Sequence, residues 1–72
     1  MNEKLRIIIA EAVKVQPDEI TPQTRAKDCD SWDSLAQVLM ISKIMDEFGV
    51  EIPFTKMAEI DCVQDFIDIL EG

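Results

Sequence analysis

Apolar residues recur at helical spacing in three separate stretches of this chain, and no stretch alternates at period two for long. That spacing is typical of amphipathic helices packed on a common core, whereas half-buried strands need alternation. A chain of 72 residues has room for one core only, so the sequence predicts a single all-α domain over residues 1–72, a bundle of three main helices and one short helix. The predicted helices span residues 3–15, Asp33 or Ser34 to near Gly49, one or two turns between Pro53 and Ile60, and Asp61 to the C-terminus.

A long connection is predicted between the first two helices, because residues 16–32 show no apolar period and contain two prolines. Ile20 is expected to hold the middle of this connection against the core. Connections of this length are uncommon in small domains and are often functional, so the far end is the first place to look for a site. There the stretch DCDSWDSL contains two serines, Ser31 and Ser34, each preceded by an aspartate.

The second and the last helix each begin with a capping signal. Asp33 and Ser34 are both residue types whose side chains accept hydrogen bonds from the free N–H groups of a first turn. Gln37 stands three residues after Ser34, and Gln64 stands three residues after Asp61, so each pair has the form of a capping box. A capping box is therefore predicted at both helix starts.

The charge balance disfavours several classes of function. Seven basic residues against fifteen acidic ones give a net charge of −8, which disfavours nucleic-acid binding because phosphates attract clustered lysine and arginine. No apolar run approaches the length of a membrane span, and the N-terminal stretch is too polar for a signal peptide. The chain is therefore expected in the cytoplasm, without membrane insertion.

Histidine is absent from the sequence, which removes the usual base for a serine or cysteine nucleophile and the usual zinc ligand set. Cys29 and Cys62 are too few for a disulfide framework and are expected to be reduced, with Cys62 in or near the core. The acidic segment does not follow the spacing of a calcium loop: counting from Asp28, Leu39 stands where the bidentate glutamate belongs. The chain is predicted to be neither an enzyme nor a metal protein.

Four segments give the chain a resemblance to the acyl carrier proteins and the wider family of phosphopantetheine-bearing carrier domains. They are EITPQT in the long connection, Asp33-Ser34-Leu35 at the start of the second helix, MDEFGVEIP at its end, and CVQDFIDIL near the C-terminus. Phe48 also stands fourteen residues after Ser34, as the family pattern has it. An Asp-Ser-Leu triplet alone is a weak signal, but its position within a match over nearly the whole chain is specific. The resemblance implies a four-helix bundle of acyl-carrier type.

The resemblance also implies that Ser34, and not Ser31, carries a covalent 4'-phosphopantetheine arm whose terminal thiol holds acyl groups as thioesters. A separate phosphopantetheinyl transferase would move the arm from coenzyme A to the serine hydroxyl. Acyl-loading and acyl-processing enzymes would then bind the loaded carrier, which is expected to be a monomer. The cargo stays open among fatty acyl, polyketide, aminoacyl or peptidyl groups and acyl groups bound for surface sugars. An alternative on the same scaffold is a helical interaction adaptor that never receives the arm.

Two departures from the family pattern lie close to the attachment serine. Ser31 stands where the family has a glycine, and Trp32, which is expected in the core, follows it. Ala36 and Leu39 stand where fatty-acid carriers have acidic residues, which indicates a specialised carrier. A helical wheel places Ile41, Ile44 and Phe48 on the core side of this helix, and the predicted docking residues for partner enzymes are Asp33, Leu35, Leu39, Ser42 and Asp46.

Overall fold

A computed structural model describes residues 1–71, and within that range the chain forms four α-helices and no β-strand. This confirms the predicted all-α fold of three main helices and one short helix. No helix of the described range is both long and apolar enough to cross a membrane. The helices are α1 (Glu3–Val13), α2 (Ser34–Phe48), α3 (Phe54–Met57) and α4 (Val63–Glu71), and two short 3-10 turns lie at Pro17–Glu19 and Ala26–Asp28 in the long connection.

Helix α1 begins at an asparagine cap and ends two residues before the predicted end. The side-chain oxygen of Asn2 accepts the backbone N–H groups of Lys4 and Leu5 at 2.8 and 3.2 Å. At the other end, Lys14 takes a left-handed backbone conformation with a φ of 59°, and its N–H donates to the Ala10 carbonyl. A left-handed residue terminates an α-helix, so the predicted end at residue 15 was wrong.

The long connection is fixed to the bundle by its middle and by its far end. Ile20 is only 1% exposed, which confirms that it holds the middle of the connection in the core. Further along, the Ala26 N–H donates to the Asp61 carbonyl at 2.7 Å, and the Val63 N–H donates to the Thr24 carbonyl at 2.9 Å. Because α4 begins at Val63, these two bonds hold the connection against the start of the last helix.

The core side of α2 is largely as predicted. Ile41 and Ile44 are buried at 1% and 0% exposure, and Trp32 is buried at 7%. Phe48 packs against the core on the predicted side of α2, but its ring is only partly buried. The reason is that α2 ends at Phe48, where the ring lines an open, mainly apolar cavity of about 300 Å³ between the two chain ends. The fully buried larger side chains of the core are Leu5, Ile9, Val13, Ile20, Met40, Ile41, Ile44, Val63 and Phe66.

The start of α4 is capped by Asp65 and not by the predicted pair of Asp61 and Gln64. The carboxylate of Asp65 accepts the backbone N–H groups of Asp61 and Cys62 at 2.9 and 3.3 Å. The Gln64 side chain donates instead to Asp68, one turn further along, at 2.8 Å. The predicted box was wrong because Cys62 directly precedes the helix, which moves the third helical position to Asp65.

Candidate functional site

Helix α2 begins at the residues that the sequence singles out. Asp33 has extended backbone, and its side chain accepts the Ala36 N–H at 2.9 Å. Of the two predicted starts, Asp33 is therefore the cap and Ser34 the first helical residue. The third helical position is Ala36 and not Gln37, so the predicted capping box at Gln37 was wrong. Ser34 is exposed to solvent, whereas Ser31 is partly buried in the connection.

The first turn of α2 is suited to a negatively charged group. The first N–H groups of a helix have no intrahelical acceptor, and the helix dipole places partial positive charge at the same end. The side chain of Asp33 accepts the hydrogen bond of the Ala36 N–H. The N–H groups of Ser34 and Leu35 also belong to this turn. A phosphate ester on the exposed Ser34 hydroxyl would lie beside them, so the residues present fit a group attached through phosphate.

Gln37 connects this turn to a distant part of the chain. Its side-chain oxygen accepts the indole N–H of Trp32 at 2.6 Å. Its side-chain nitrogen donates to the carbonyls of Met57 and Ile60 at 3.1 and 3.2 Å. The Trp32 ring stacks on Phe66 of α4, with 6.3 Å between the ring centroids. The residues around Ser34 are therefore held both to α4 and to the end of α3 and the connection that follows it.

One side of α2 presents apolar side chains to solvent. Leu35 is 68% and Leu39 48% exposed, which confirms the prediction that both face outward. Sequence reasoning missed Val38, which is 59% exposed and stands three residues after Leu35 on the neighbouring part of the surface. It also missed Phe54, the first residue of α3, which is 83% exposed. Its position after Pro53 in a helix of four residues was the available signal, because so short a helix buries little.

The three polar residues predicted to dock partners are also exposed. Asp33 lies at the cap, while Ser42 and Asp46 continue along α2 at the helical spacing of Leu35 and Leu39. The structure thus places Leu35, Leu39, Ser42 and Asp46 on one exposed strip of α2, with the exposed Asp33 at the cap before it. Their role in docking stays a prediction.

The acidic cluster at the start of α4 serves the helix itself. Asp61, Cys62 and Asp65 bring three possible ligand atoms within 4.8 Å of one another. The Asp65 carboxylate, however, already accepts two backbone N–H groups, chiefly that of Asp61, and these bonds lower its pKa. At the other cysteine, burial and then the neighbouring Asp28 raise the pKa of the Cys29 thiol, which disfavours the reactive thiolate. Both cysteines are free thiols.

The arrangement of helices is that of the acyl-carrier fold. It matches the solution NMR structure of the holo acyl carrier protein from Geobacter metallireducens with a TM-score of 0.81. The match covers 94% of this chain and 78% of that chain. Because the sequence identity is 22%, the match shows the fold alone.

Sequence comparisons identify the family. Residues 3–70 match the family described as "Phosphopantetheine attachment site". The chain is also 34% identical over 70 residues to the acyl carrier protein of Thermosynechococcus vestitus (strain NIES-2133 / IAM M-273 / BP-1). The aligned residues cover 97% of this chain and 86% of that protein. The chain belongs to the phosphopantetheine-attachment family of acyl carrier proteins, as the resemblance in its sequence predicted. It is a carrier that bears a covalent 4'-phosphopantetheine arm.

Proposed function

We propose that Ser34 is the attachment residue for the arm, and that residues 1–72 act as one carrier domain. The observation that carries the proposal is the position of Ser34 as an exposed first residue of α2, directly after its cap Asp33. The N–H groups and the dipole of that helix end stabilise the negative charge of a phosphodiester. Ser31 has no such environment, because it lies partly buried before Trp32 and outside any helix.

In this proposal a phosphopantetheinyl transferase binds the exposed start of α2 and modifies it. The Ser34 oxygen attacks the phosphorus of coenzyme A that carries the pantetheine, so a new oxygen–phosphorus bond forms and the bond to the leaving nucleotide breaks. The proton of the hydroxyl passes to a base of the transferase, and magnesium is held there as well. This chain contributes the nucleophilic hydroxyl and the surface that the transferase recognises, while partner enzymes supply the catalysis.

The docking face, defined as Asp33, Leu35, Leu39, Ser42 and Asp46, is proposed to receive the transferase and the acyl-processing enzymes. Leu35 and Leu39 are the large apolar side chains of this face, and both are exposed. An accessible apolar strip of this kind favours a partner with a complementary apolar patch, since both surfaces then leave water. Beyond Leu39, the helix carries a single lysine against two acidic residues, so it offers little net charge to a basic partner.

Intact mass spectrometry tests the attachment residue. After incubation with coenzyme A and a transferase of broad specificity, the wild-type chain is expected to gain the mass of one phosphopantetheinyl group. Ser34→Ala is expected to gain none, because it lacks the accepting hydroxyl. Ser31→Ala is the matched control in the connection, and it is expected to be modified like the wild type.

The outcomes separate the carrier from the alternative functions. Modification of Ser34→Ala, or loss of modification in Ser31→Ala, would refute the assignment. A wild-type chain that gains no mass would favour the unmodified interaction adaptor on the same scaffold. Among carriers, the kind of cargo is identified by testing which activated substrate, acyl, aminoacyl or peptidyl, a loading enzyme transfers to the arm.

A further inference from the structure

We infer that Gln37 is a specificity-determining residue that closes the gap between α2 and residues 57–60 beside Ser34, and so keeps the cargo outside the bundle. The inference rests on the proposed attachment at Ser34. It assigns the carrier to short or polar acyl groups, which need no shelter from water, and not to long alkyl chains.

The hydrogen bonds of Gln37 carry this inference. A glutamine side chain has two N–H donors and one carbonyl oxygen. Here the nitrogen donates to the carbonyls of Met57 and Ile60 at 3.1 and 3.2 Å, and the oxygen accepts from Trp32 at 2.6 Å. Both donors and the acceptor are thus engaged, and the bonds reach two separate parts of the chain, Trp32 and residues 57–60.

The residues that Gln37 binds are themselves held in place. Trp32 is 7% exposed, and its ring stacks on the fully buried Phe66 of α4. Ile60 is 7% exposed, so the segment that supplies the second carbonyl is packed on the core. Opening the gap at this point therefore means separating groups that are anchored on both sides.

The closed gap lies where a chain attached to Ser34 would enter. Ser34, Trp32, Gln37, Met57 and Ile60 line the same shallow, open cavity of about 340 Å³. An alkyl chain is driven to leave water, and the core is the apolar volume available to it. To enter here it would have to break the three bonds of Gln37 and leave polar groups unsatisfied in a partly buried place, which is costly.

A second, mainly apolar cavity of about 300 Å³ lies elsewhere and does not offer an alternative beside the serine. It is lined by Leu5, Phe48, Ile67 and Leu70 at the C-terminal end of α2. Ser34 occupies the opposite end of this helix, about 21 Å away at the usual rise per residue. A short or polar acyl group gains little from either apolar volume, which fits a carrier that presents its cargo in water.

The test compares two cargo lengths on the same carrier. The wild-type chain and Gln37→Ala are each loaded with a butyryl or a decanoyl arm, by a transferase of broad specificity acting on the acyl-coenzyme A. Cleavage of the thioester by hydroxylamine is then followed by intact mass. In the wild type both thioesters are expected to be cleaved at the same rate. In Gln37→Ala the decanoyl thioester is expected to be cleaved several-fold more slowly than the butyryl thioester, because the long chain enters the opened gap.

Control variants separate this role from a general effect on folding. Gln64→Ala removes an exposed glutamine that bonds only Asp68 on the surface, and it is expected to behave like the wild type. If Gln37→Ala does not fold, Gln37→Glu replaces it, since that variant keeps an acceptor for Trp32 but loses both donors. The comparison of cargo lengths within one folded variant is the measurement that a purely structural role would not change.

Several outcomes would overturn the inference. A wild-type chain that protects its decanoyl thioester has an open gap, and equal rates in both Gln37 variants show that Gln37 does not exclude the chain. An unchanged intact mass in the loading step refutes the proposed attachment and the cargo inference together. Successful loading followed by protection in the wild type refutes the cargo inference alone.

Discussion

Truncating two phenylalanines of the same core is expected to give two different losses of stability. Phe66 is 0% exposed and stacks on Trp32, so Phe66→Ala should cost about 3–5 kcal/mol, the range for removing a fully buried ring. A single core of this size typically supplies only about 3–5 kcal/mol in total, so this variant is expected to be largely unfolded.

Phe48 should behave differently, because its ring is partly buried and lines a cavity that is open to solvent. Water can occupy the space left by Phe48→Ala, so no sealed void adds to the cost. Full burial of a phenylalanine contributes about 1.5–3 kcal/mol, and a partly buried ring should lie at the lower end of that range, at about 1.5 kcal/mol.

Urea denaturation measures both losses in the same assay. Trp32 is the single tryptophan of the chain and is buried, so its emission reports unfolding, and far-UV circular dichroism provides an independent signal. With a slope of about 1 kcal/mol per molar urea, Phe48→Ala should lower the midpoint by about 1.5 M. Phe66→Leu, which keeps an apolar side chain in the core, supplies a folded variant if Phe66→Ala has no transition. Equal losses for Phe48→Ala and Phe66→Ala would refute the reasoning from burial.

Three further perturbations test other parts of the structure. Asp33→Ala removes the cap of α2 and is expected to cost about 1 kcal/mol, measured as a lower urea midpoint; an unchanged midpoint would show that the cap is dispensable. The lowered pKa of Asp65 means that its stabilising contribution is complete above the ordinary aspartate pKa of about 4 and is lost as the pH falls through the lowered value. Asp65→Asn is therefore expected to lower the Tm at neutral pH and to flatten the acid side of the Tm profile, and an unchanged acid side would contradict this reasoning. Leu39→Glu is expected to weaken binding to the cognate acyl-processing enzyme in calorimetric titrations, and Ile7→Glu, at an exposed position on α1, is its control. Wild-type binding should change little between low and physiological ionic strength, because apolar burial is not screened; a collapse with salt would place the contact on the acidic surfaces instead.

The helices were predictable because their signals are local. Apolar spacing, Pro17 and Gly49 predict where α1 and α2 lie, and Gly49 does take the left-handed conformation that ends a helix. The start of α2 was predicted to within one residue for the same reason. An error of two residues at the end of α1 arose from Lys14, a residue type that seldom adopts left-handed backbone.

The partners of polar side chains were not predictable at the same level. Gln37 and Gln64 were both expected to cap their own helices, yet a shift of one residue in the helix start assigns the third position to a different side chain. The carbonyls that Gln37 does bind belong to Met57 and Ile60, twenty and more residues away along the chain. Contacts of that separation depend on the packed fold and leave no periodic signal in the sequence.

Burial followed the same division between local and distant causes. Helical spacing correctly predicts that Leu35 and Leu39 face away from Ile41 and Ile44. Spacing does not show whether another element covers a given side, so the partial burial of Phe48 could not be predicted from it. The site beside Ser34 was therefore predictable as a position, and its closure by Gln37 was not.

The two positions that lack the family's acidic residues differ in what the fold requires of them. Ala36 is 5% exposed in the first turn of α2, so a carboxylate there would have to be desolvated or displace the packing around it. Leu39 is 48% exposed, and an acidic residue would be tolerated there without any cost in burial. The alanine is thus explained by folding, whereas the leucine is not. Of the two positions, only position 39 can change without a cost in folding, so recognition by a partner can determine which residue it carries. Leu39 lies one turn from Leu35 on the face that begins at Ser34. Specialisation of this carrier is therefore expected to reside in the exposed apolar residues of α2, and the packed side of the same helix is expected to contribute little to the choice of partner.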